Sequence, residues 1–274
     1  MRPVLLYIAE RFPLPQVALL ALAYSSLIIG ITATVSPLEP TGTLVFLVAL
    51  SFVGVLLRTR VIDEFKDTAF DTKHYPGRPF QRGAVNARQL KALGVVASIV
   101  ELGALLLISP FALLAYLPVV AYSLLTAKEF FVPHFLQRHF TLYFVSHQLI
   151  FVFFFLWSVV TFGGEISWQT FFGALSFVLL MTAFEILRKL EYRRDTKGSI
   201  VKDSYPAVWG VPLTMSLLSV MLLTSGLILT VLTGTLAHLF VSLISMLILS
   251  SSNFKIIQLV VAVSVIVQGA LLFL

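Results

Sequence analysis

Long apolar runs alternate with short polar segments along the whole chain. A helix that crosses a bilayer needs about 20 mostly apolar residues. About nine runs approach that length, at 16–35, 43–66, 87–108, 111–130, 140–161, 168–188, 207–232, 237–250 and 254–274. The eighth is short, and the third and fourth almost fuse at Ser109-Pro110. Membrane β-barrels show segments of roughly ten residues with strict apolar and polar alternation. No such segment occurs here. The pattern predicts an all-α integral membrane protein, with 1–274 forming a single membrane domain.

Composition strengthens that reading. The chain is 58% hydrophobic and 12% charged, with a mean hydropathy of +0.98. A soluble domain is about 45–50% apolar and about 25% charged. There is too little charge to solvate a globule, and too much apolar content for a disordered chain. Cysteine is absent, which excludes a disulfide scaffold, a thiolate metal site and a cysteine nucleophile.

Charge also sets an orientation. With the N-terminus in the cytoplasm, all 19 Lys and Arg fall in or beside inside segments. The outside segments near 36–42, 109–110, 162–167 and 233–236 hold none, and carry Glu39 and Glu165 instead. That asymmetry is the positive-inside pattern, and it holds only for an odd number of spans. The net charge of +6 therefore belongs to short clusters and not to one basic stripe, so no nucleic-acid partner is expected. The expected partner is the lipid bilayer. Residues 1–15 carry Arg2, Glu10 and Arg11, with no small-residue cleavage site after a short apolar core. They are expected to lie at the membrane face and not to act as a signal peptide.

Two inside loops, at about 61–86 and 188–206, hold seven of the 13 acids: Asp63, Glu64, Asp67, Asp71, Glu191, Asp195 and Asp203. If the second helix runs on through the first loop, Asp63, Asp67 and Asp71 share one helical face. Like charges at that spacing repel, so the stack is costly unless a cation occupies it. Mg2+ takes carboxylate and water oxygens, usually with phosphate completing its shell. A solvated helix end is the plainer alternative. The loop continues through Pro76-Gly77-Arg78-Pro79 to Arg82-Gly83, a compact turn that holds two guanidinium groups near the acids. Guanidinium binds phosphate oxygens through paired hydrogen bonds. In the second loop Glu191 and Asp195 are again four apart, and Glu185 and Lys189 have the spacing of a plain helical ion pair.

The first loop resembles the signature of the UbiA superfamily of intramembrane prenyltransferases, NDxxDxxxD followed by a turn rich in Pro and Arg. Asp63 stands in the Asn position and Glu64 in that of the first Asp, while Asp67 and Asp71 match directly. Pro76 to Pro79 matches the turn and Gly83 its closing glycine. The second loop resembles the family's DxxxD motif, with Glu191 first and Asp195 second. The resemblance covers nearly the whole chain. It implies about nine transmembrane helices in a UbiA-like bundle with both motifs at the cytoplasmic face. It implies Mg2+ held by Asp63, Glu64, Asp67, Asp71, Glu191 and Asp195, as the catalytic acids, on an isoprenyl diphosphate. Arg78, Arg82, Lys128, Arg188 and Lys189 would share the diphosphate charge. An allylic cation would then form in a dry cavity lined by some of the 24 Phe, eight Tyr and three Trp. The implied location is a prokaryotic plasma membrane with the active site facing the cytoplasm.

The departures from the signature leave the prenyl acceptor open, aromatic or lipid. The same fold carries terpene cyclisation, which needs no acceptor. A transporter or non-catalytic bundle that binds divalent cations is the rival from another class. A transporter is expected to place its ionisable groups near the membrane midplane, and here only Glu101 is deep. Glu101 is expected to face the bundle interior, as a proton acceptor or as a hydrogen-bonded core group. Residues 126–139 read as an interfacial segment over the active-site mouth. His134, His139 and His147 lack the spacing of a zinc site and read as interfacial or packing residues.

Overall fold

The computed structural model describes residues 2–249 and 253–273. The N-terminal part runs α1 (Arg2–Arg11), α2 (Leu14–Ala33), α3 (Gly42–Lys66) and a short α4 (Thr68–His74). The middle holds α5 (Ala87–Ile108), α6 (Pro110–Ala115), α7 (Leu117–Ala127), α8 (Pro133–Arg138), α9 (Phe140–Gln148), α10 (Ile150–Thr161) and α11 (Trp168–Arg188). A small antiparallel hairpin follows, β1 (Arg193–Arg194) with β2 (Ile200–Val201), Arg193 standing opposite Val201. Then come α12 (Tyr205–Trp209), α13 (Val211–Thr233), α14 (Ala237–Ile248) and α15 (Phe254–Leu271). Among the described residues seven spans are long and apolar enough to cross a bilayer, counting α6 with α7 and α9 with α10. α14 and α15 are shorter apolar helices. Met1, Ser250 and Leu274, at the ends of three predicted segments, lie outside the described residues.

Local chemistry explains the breaks. Ser109 is extended and its hydroxyl accepts from the Ala112 amide at 2.9 Å, while Pro110 opens α6. That cap separates the two runs that almost fuse in the sequence. The seventh run is split, because Gly210 adopts φ +80° between α12 and α13. Only glycine takes that conformation without strain.

The helices close into a ring. α2 packs on α3, α3 on α5, α5 on α6, and both α6 and α7 on α10. α10 packs on α11, α11 on α13, α13 on α14, α14 on α15, and α15 returns to α2. α11 also reaches α2 and α15. Leu27, Ile28, Phe155, Phe177, Leu180 and Met181 are fully buried in this core. α3 and α5 touch backbone to backbone. A Cβ at Gly54 would lie 2.6 Å from the Glu101 amide nitrogen and 2.8 Å from the Ala97 carbonyl oxygen. Gly54→Val is therefore expected to separate the two helices and cost about 1–3 kcal/mol or more. Thermal unfolding in detergent measures this; an unchanged midpoint would refute the close contact.

The α3–α5 contact also carries a buried ion pair. Arg58 donates from Nε and Nη2 to the two Glu101 carboxylate oxygens at 2.6 and 2.9 Å. The Tyr116 hydroxyl donates to Glu101 at 3.2 Å, and Arg58 also donates to Ser123 at 3.1 Å. Glu101 thus faces inward as its sequence position predicts, with its charge matched by Arg58.

The two ends of the bundle differ. At one end the loops 34–41 and 162–167 meet, Gly163 and Gly164 lying against Pro37 and Ser36. At the other end α1 lies over a second apolar cluster of Tyr7, Val61, Val85, Leu90 and Leu93. This end carries both acid-rich loops.

Candidate active site

The first loop is more helical than a loop. Backbone bonds run Asp67 N–H to Asp63 C=O at 2.8 Å, Asp71 to Asp67 at 2.8 Å and Tyr75 to Asp71 at 2.7 Å. The i to i+4 ladder thus passes through the small break between α3 and α4. Asp63, Asp67 and Asp71 follow one another along it, as the spacing predicts.

Their surroundings differ. Asp63 lies 3.5 Å from the Lys66 ammonium, which is also 3.9 Å from Glu129. Asp67 has the least compensated environment. Burial, together with the carboxylates of Asp63, Asp71 and Glu129, pushes its carboxyl up to about 6 against the pull of Lys66. Asp71 is buried and ion-paired to Arg78, whose guanidinium sits 4.2 Å above the Tyr75 ring. Glu64 is buried in a separate group. Arg11 donates to it at 2.9 Å and the Tyr7 hydroxyl at 3.4 Å, with Arg60 at 3.8 Å. Arg82 is held by Glu10 in a two-bond pair at 2.6 and 3.0 Å. α1 therefore grips both ends of the first motif.

The second motif is not a helical pair. α11 ends at Arg188, Glu191 lies exposed in a bend, and Asp195 sits at the turn of the hairpin. The Asp195 carboxylate accepts from the amides of Lys197 and Ser199 at 2.9 Å each, and Gly198 takes φ +79°. An Asp that closes its own turn and a glycine three residues on explain why the helix does not continue. The Glu185–Lys189 pair is present at 3.7 Å, and Arg188 joins it through two bonds to Glu185 at 2.8 and 2.9 Å. Burial holds the Lys189 ammonium below its usual range. Tyr205 donates to Glu185 at 3.3 Å. The Tyr205 ring heads an aromatic group with Phe144 and Trp209, at 5.2 and 5.1 Å.

Side chains tie the two loops together. The Tyr75 hydroxyl donates to Asp203 at 2.8 Å, and Arg193 donates to the same oxygen at 3.2 Å. Burial and the Asp203 bond push the Tyr75 hydroxyl up to about 12. His74 Nδ1 lies 3.9 Å from the Asp195 carboxylate. A cleft of about 420 Å³ opens here, lined by residues of α1, of 74–79 and of 194–196. A second cavity of about 450 Å³ lies between the ends of α3 and α7, with Lys66 and the exposed Lys128 on its wall.

Residues that the motif reading passes over are also in the site: Lys66, Glu129, Tyr143, Asp203 and Tyr205. Lys66 was legible as the cation three residues after Asp63. Glu129 and Tyr143 carry no sequence signal, because only folding brings α9 and the segment after α7 against α3. Among the described residues no three acidic or histidine side chains converge closely enough to hold a metal ion by themselves.

The fold is similar to solved structures of known type. One is a UbiA homologue from Archaeoglobus fulgidus bound to GPP and Mg2+, with 16% identity and a TM-score of 0.60 over 97% of this chain and 99% of that one. A second is the apo form of a UbiA homologue from Aeropyrum pernix K1, with 17% identity and a TM-score of 0.59 over 91% and 96%. A third is a digeranylgeranylglyceryl phosphate synthase, with 19% identity and a TM-score of 0.56 over 98% and 99%. Comparison with curated protein sequences finds no match. The family model of the UbiA prenyltransferase family matches residues 11–264, nearly the whole ring of helices and both acid-rich loops, and the chain belongs to that family.

Proposed function

We propose that this prenyltransferase takes its isoprenyl group from an isoprenyl diphosphate and passes it to an acceptor, with Mg2+ as cofactor and the reaction at the cytoplasmic face. The observation that carries the reading is Asp67, a partly buried carboxyl set beside those of Asp63, Asp71 and Glu129 and pushed up first by burial and then by these neighbours. Such a group needs a proton or a cation beside it. Mg2+ fits, because it is bound by one or two carboxylates plus phosphate and water. The proposed ligands, one or two to an ion with phosphate and water completing each shell, are drawn from Asp63, Asp67 and Asp71 of the first loop and Asp195 of the second. Glu64 anchors the first motif through Arg11, and Glu191 stands at the rim. When bound, Mg2+ supplies Lewis-acid stabilisation of the departing diphosphate.

The protein's own groups do the rest. Lys66, Lys128 and Lys189, with Arg188 behind them, present positive charge to the diphosphate oxygens. Arg78 keeps Asp71 and the turn in place, and Arg82 fastens the loop to α1. As the C1–O bond breaks, its electron pair leaves with the diphosphate. The positive charge left on the allyl group meets aromatic faces, for which the Phe144–Tyr205–Trp209 group beside Lys189 is suited. The chain end lies between apolar helices. The single domain 1–274 and a prokaryotic plasma membrane complete the proposal.

Purified protein in detergent with Mg2+ tests this against diphosphates from geranyl to geranylgeranyl. Diphosphate release is followed without acceptor and then with a membrane lipid extract. Release with a prenylated product only in the presence of extract is the expected result. Release with a cyclic product and no acceptor would replace transfer by cyclisation. No release, and no Mg2+-dependent binding of a diphosphate analogue, would overturn the reading.

A further inference from the structure

Between the span formed by α6 with α7 and that formed by α9 with α10, the chain turns back at residues 128–139. This turn lies at the end of the bundle that carries the acid-rich loops. Its charges sort by side. Glu129 is the only acid between Glu101 and Glu165. It is turned inward, with its side chain 12% exposed and 3.9 Å from the Lys66 ammonium. The outward side of the segment is left with cations and imidazoles: Lys128, His134, Arg138 and His139 are exposed. Among the described residues Lys128 and Arg138 have no acidic partner, whereas Arg11, Arg58, Arg78 and Arg82 each have one.

The same segment exposes large apolar groups. Phe131 is 73% exposed and Phe135 51%, and Val132 is exposed with them. Leu124 and Leu142, on the flanking spans, are exposed as well. Apolar side chains mixed with cations, on a short piece of chain at the end of a span, make up an element that lies in the membrane interface. The backbone is strained to present them. Glu129, Phe130 and Phe131 have φ of +47°, +52° and +60°, three successive non-glycine residues in the left-handed region. The strained turn sends Glu129 in to Lys66 and Phe130 in to the Tyr122 ring at 5.6 Å, while Phe131 points out. Strain of this kind persists only where the surroundings hold it. Glu129 and Phe130 hold the inner side, and the protein supplies no cover for Phe131 and Phe135 on the outer side.

We propose that residues 128–138 form a docking surface for phospholipids with a net negative headgroup, bound as part of the surrounding leaflet and not as a reactant. Phe131, Val132 and Phe135 enter the leaflet, and Lys128 and Arg138 meet the headgroup phosphates. The guanidinium of Arg138 offers paired donors to phosphate oxygens. Charge selects the lipid, because the outward side of the segment has two cations and no carboxylate to repel an anionic headgroup. A Lys or Arg near an anionic leaflet strengthens attraction about fivefold. Lys128 stands at the edge that this surface shares with the cavity between α3 and α7, and the transferase reading also uses it. Arg138 belongs to the docking surface alone, and the lipid preference stands whether or not the transferase reading holds.

The chain has no cysteine, so Val132→Cys carries a single bimane label in the middle of the surface. The full-length labelled protein is placed in vesicles of equal parts phosphatidylcholine and phosphatidylglycerol, with one or the other lipid brominated. Quenching of the label reports which lipid lies against it. Brominated phosphatidylglycerol is expected to quench more strongly, equivalent to a local preference of about fivefold or more. Adding Arg138→Gln is expected to lower that preference about fivefold. The paired change Arg88→Gln/Lys91→Gln removes two exposed cations at the start of α5, on the same end of the bundle, and is expected to leave the preference as it was. Equal quenching by the two lipids, or a preference that survives Arg138→Gln, would overturn the proposal. An equal fall in both variants would overturn it too, by showing attraction to the face as a whole. No quenching by either lipid would also overturn it, and would give the surface to water or to a protein partner.

Discussion

Asp67→Asn is expected to lower Mg2+-dependent diphosphate release by about a hundredfold or more, and to stabilise the metal-free protein at neutral pH. The two effects have one cause. Asp67 is partly buried, and burial together with the carboxylates of Asp63, Asp71 and Glu129 pushes its carboxyl up from the ordinary 3.8 to about 6. In the folded protein it therefore holds its proton at a pH where the unfolded chain has lost it. The folded state binds more protons between those two values, so stability falls as pH rises through that window. Above it the penalty is complete, with an upper bound of about 3 kcal/mol at about 1.4 kcal/mol per pH unit. Asparagine carries no charge and avoids the penalty, but it offers a cation only a neutral oxygen. Thermal unfolding in detergent with a chelator, scanned across acid to neutral pH, measures the first half. A downward step in the wild type that is missing in the variant is expected. Identical pH profiles, or a fully active variant, would refute the role given to Asp67.

Arg58→Met is expected to destabilise the fold by about 3–5 kcal/mol, because it strands the Glu101 carboxylate in the bundle interior. The side chains of Arg58 and Glu101 are only 12% and 1% exposed. Their mutual bonds are the main compensation for removing both charges from water. The double variant Arg58→Met/Glu101→Met is expected to recover most of the loss, since a well-packed apolar pair often equals a buried ion pair. Unfolding midpoints of the two single variants and the double give the coupling. Additive losses would show that the pair is not coupled. Binding of the diphosphate analogue, per folded molecule, is expected to be the same in all of them, because the pair holds α3 on α5 and lies apart from the acid cluster.

The bundle was largely legible from apolar run length, because a bilayer leaves backbone groups few ways to be satisfied other than a helix. Run length could not resolve the break at Gly210, which turns on one residue's backbone freedom. The first motif was equally legible. Asp63, Asp67 and Asp71 sit in one continuous ladder, and a ladder is what four-residue spacing encodes. In the second motif the same spacing does not make a helix. Glu191 and Asp195 have helical spacing, but Asp195 spends its carboxylate on the amides of its own turn. Arg11 with Glu64 and Glu10 with Arg82 join residues far apart in sequence, so no local pattern announces them. The depth of Glu101 marks it as inward-facing, but no local pattern marks Arg58, on another helix, as its partner.

The ties between the two loops set how often the site can open. Tyr75–Asp203 and the long His74–Asp195 contact are side-chain interactions from one loop to the other, while Arg193–Asp203 lies within the second loop. None of them involves a membrane-crossing helix. At about 1 kcal/mol each at most, releasing the first two costs up to roughly 2 kcal/mol, an open population of about one molecule in thirty or more. A loop that rare in its open form, moving on the microsecond to millisecond scale, still opens often enough to admit a substrate for each turnover of an ordinary enzyme. Exchange of diphosphate with the surrounding water can therefore proceed while the ring of helices stays closed.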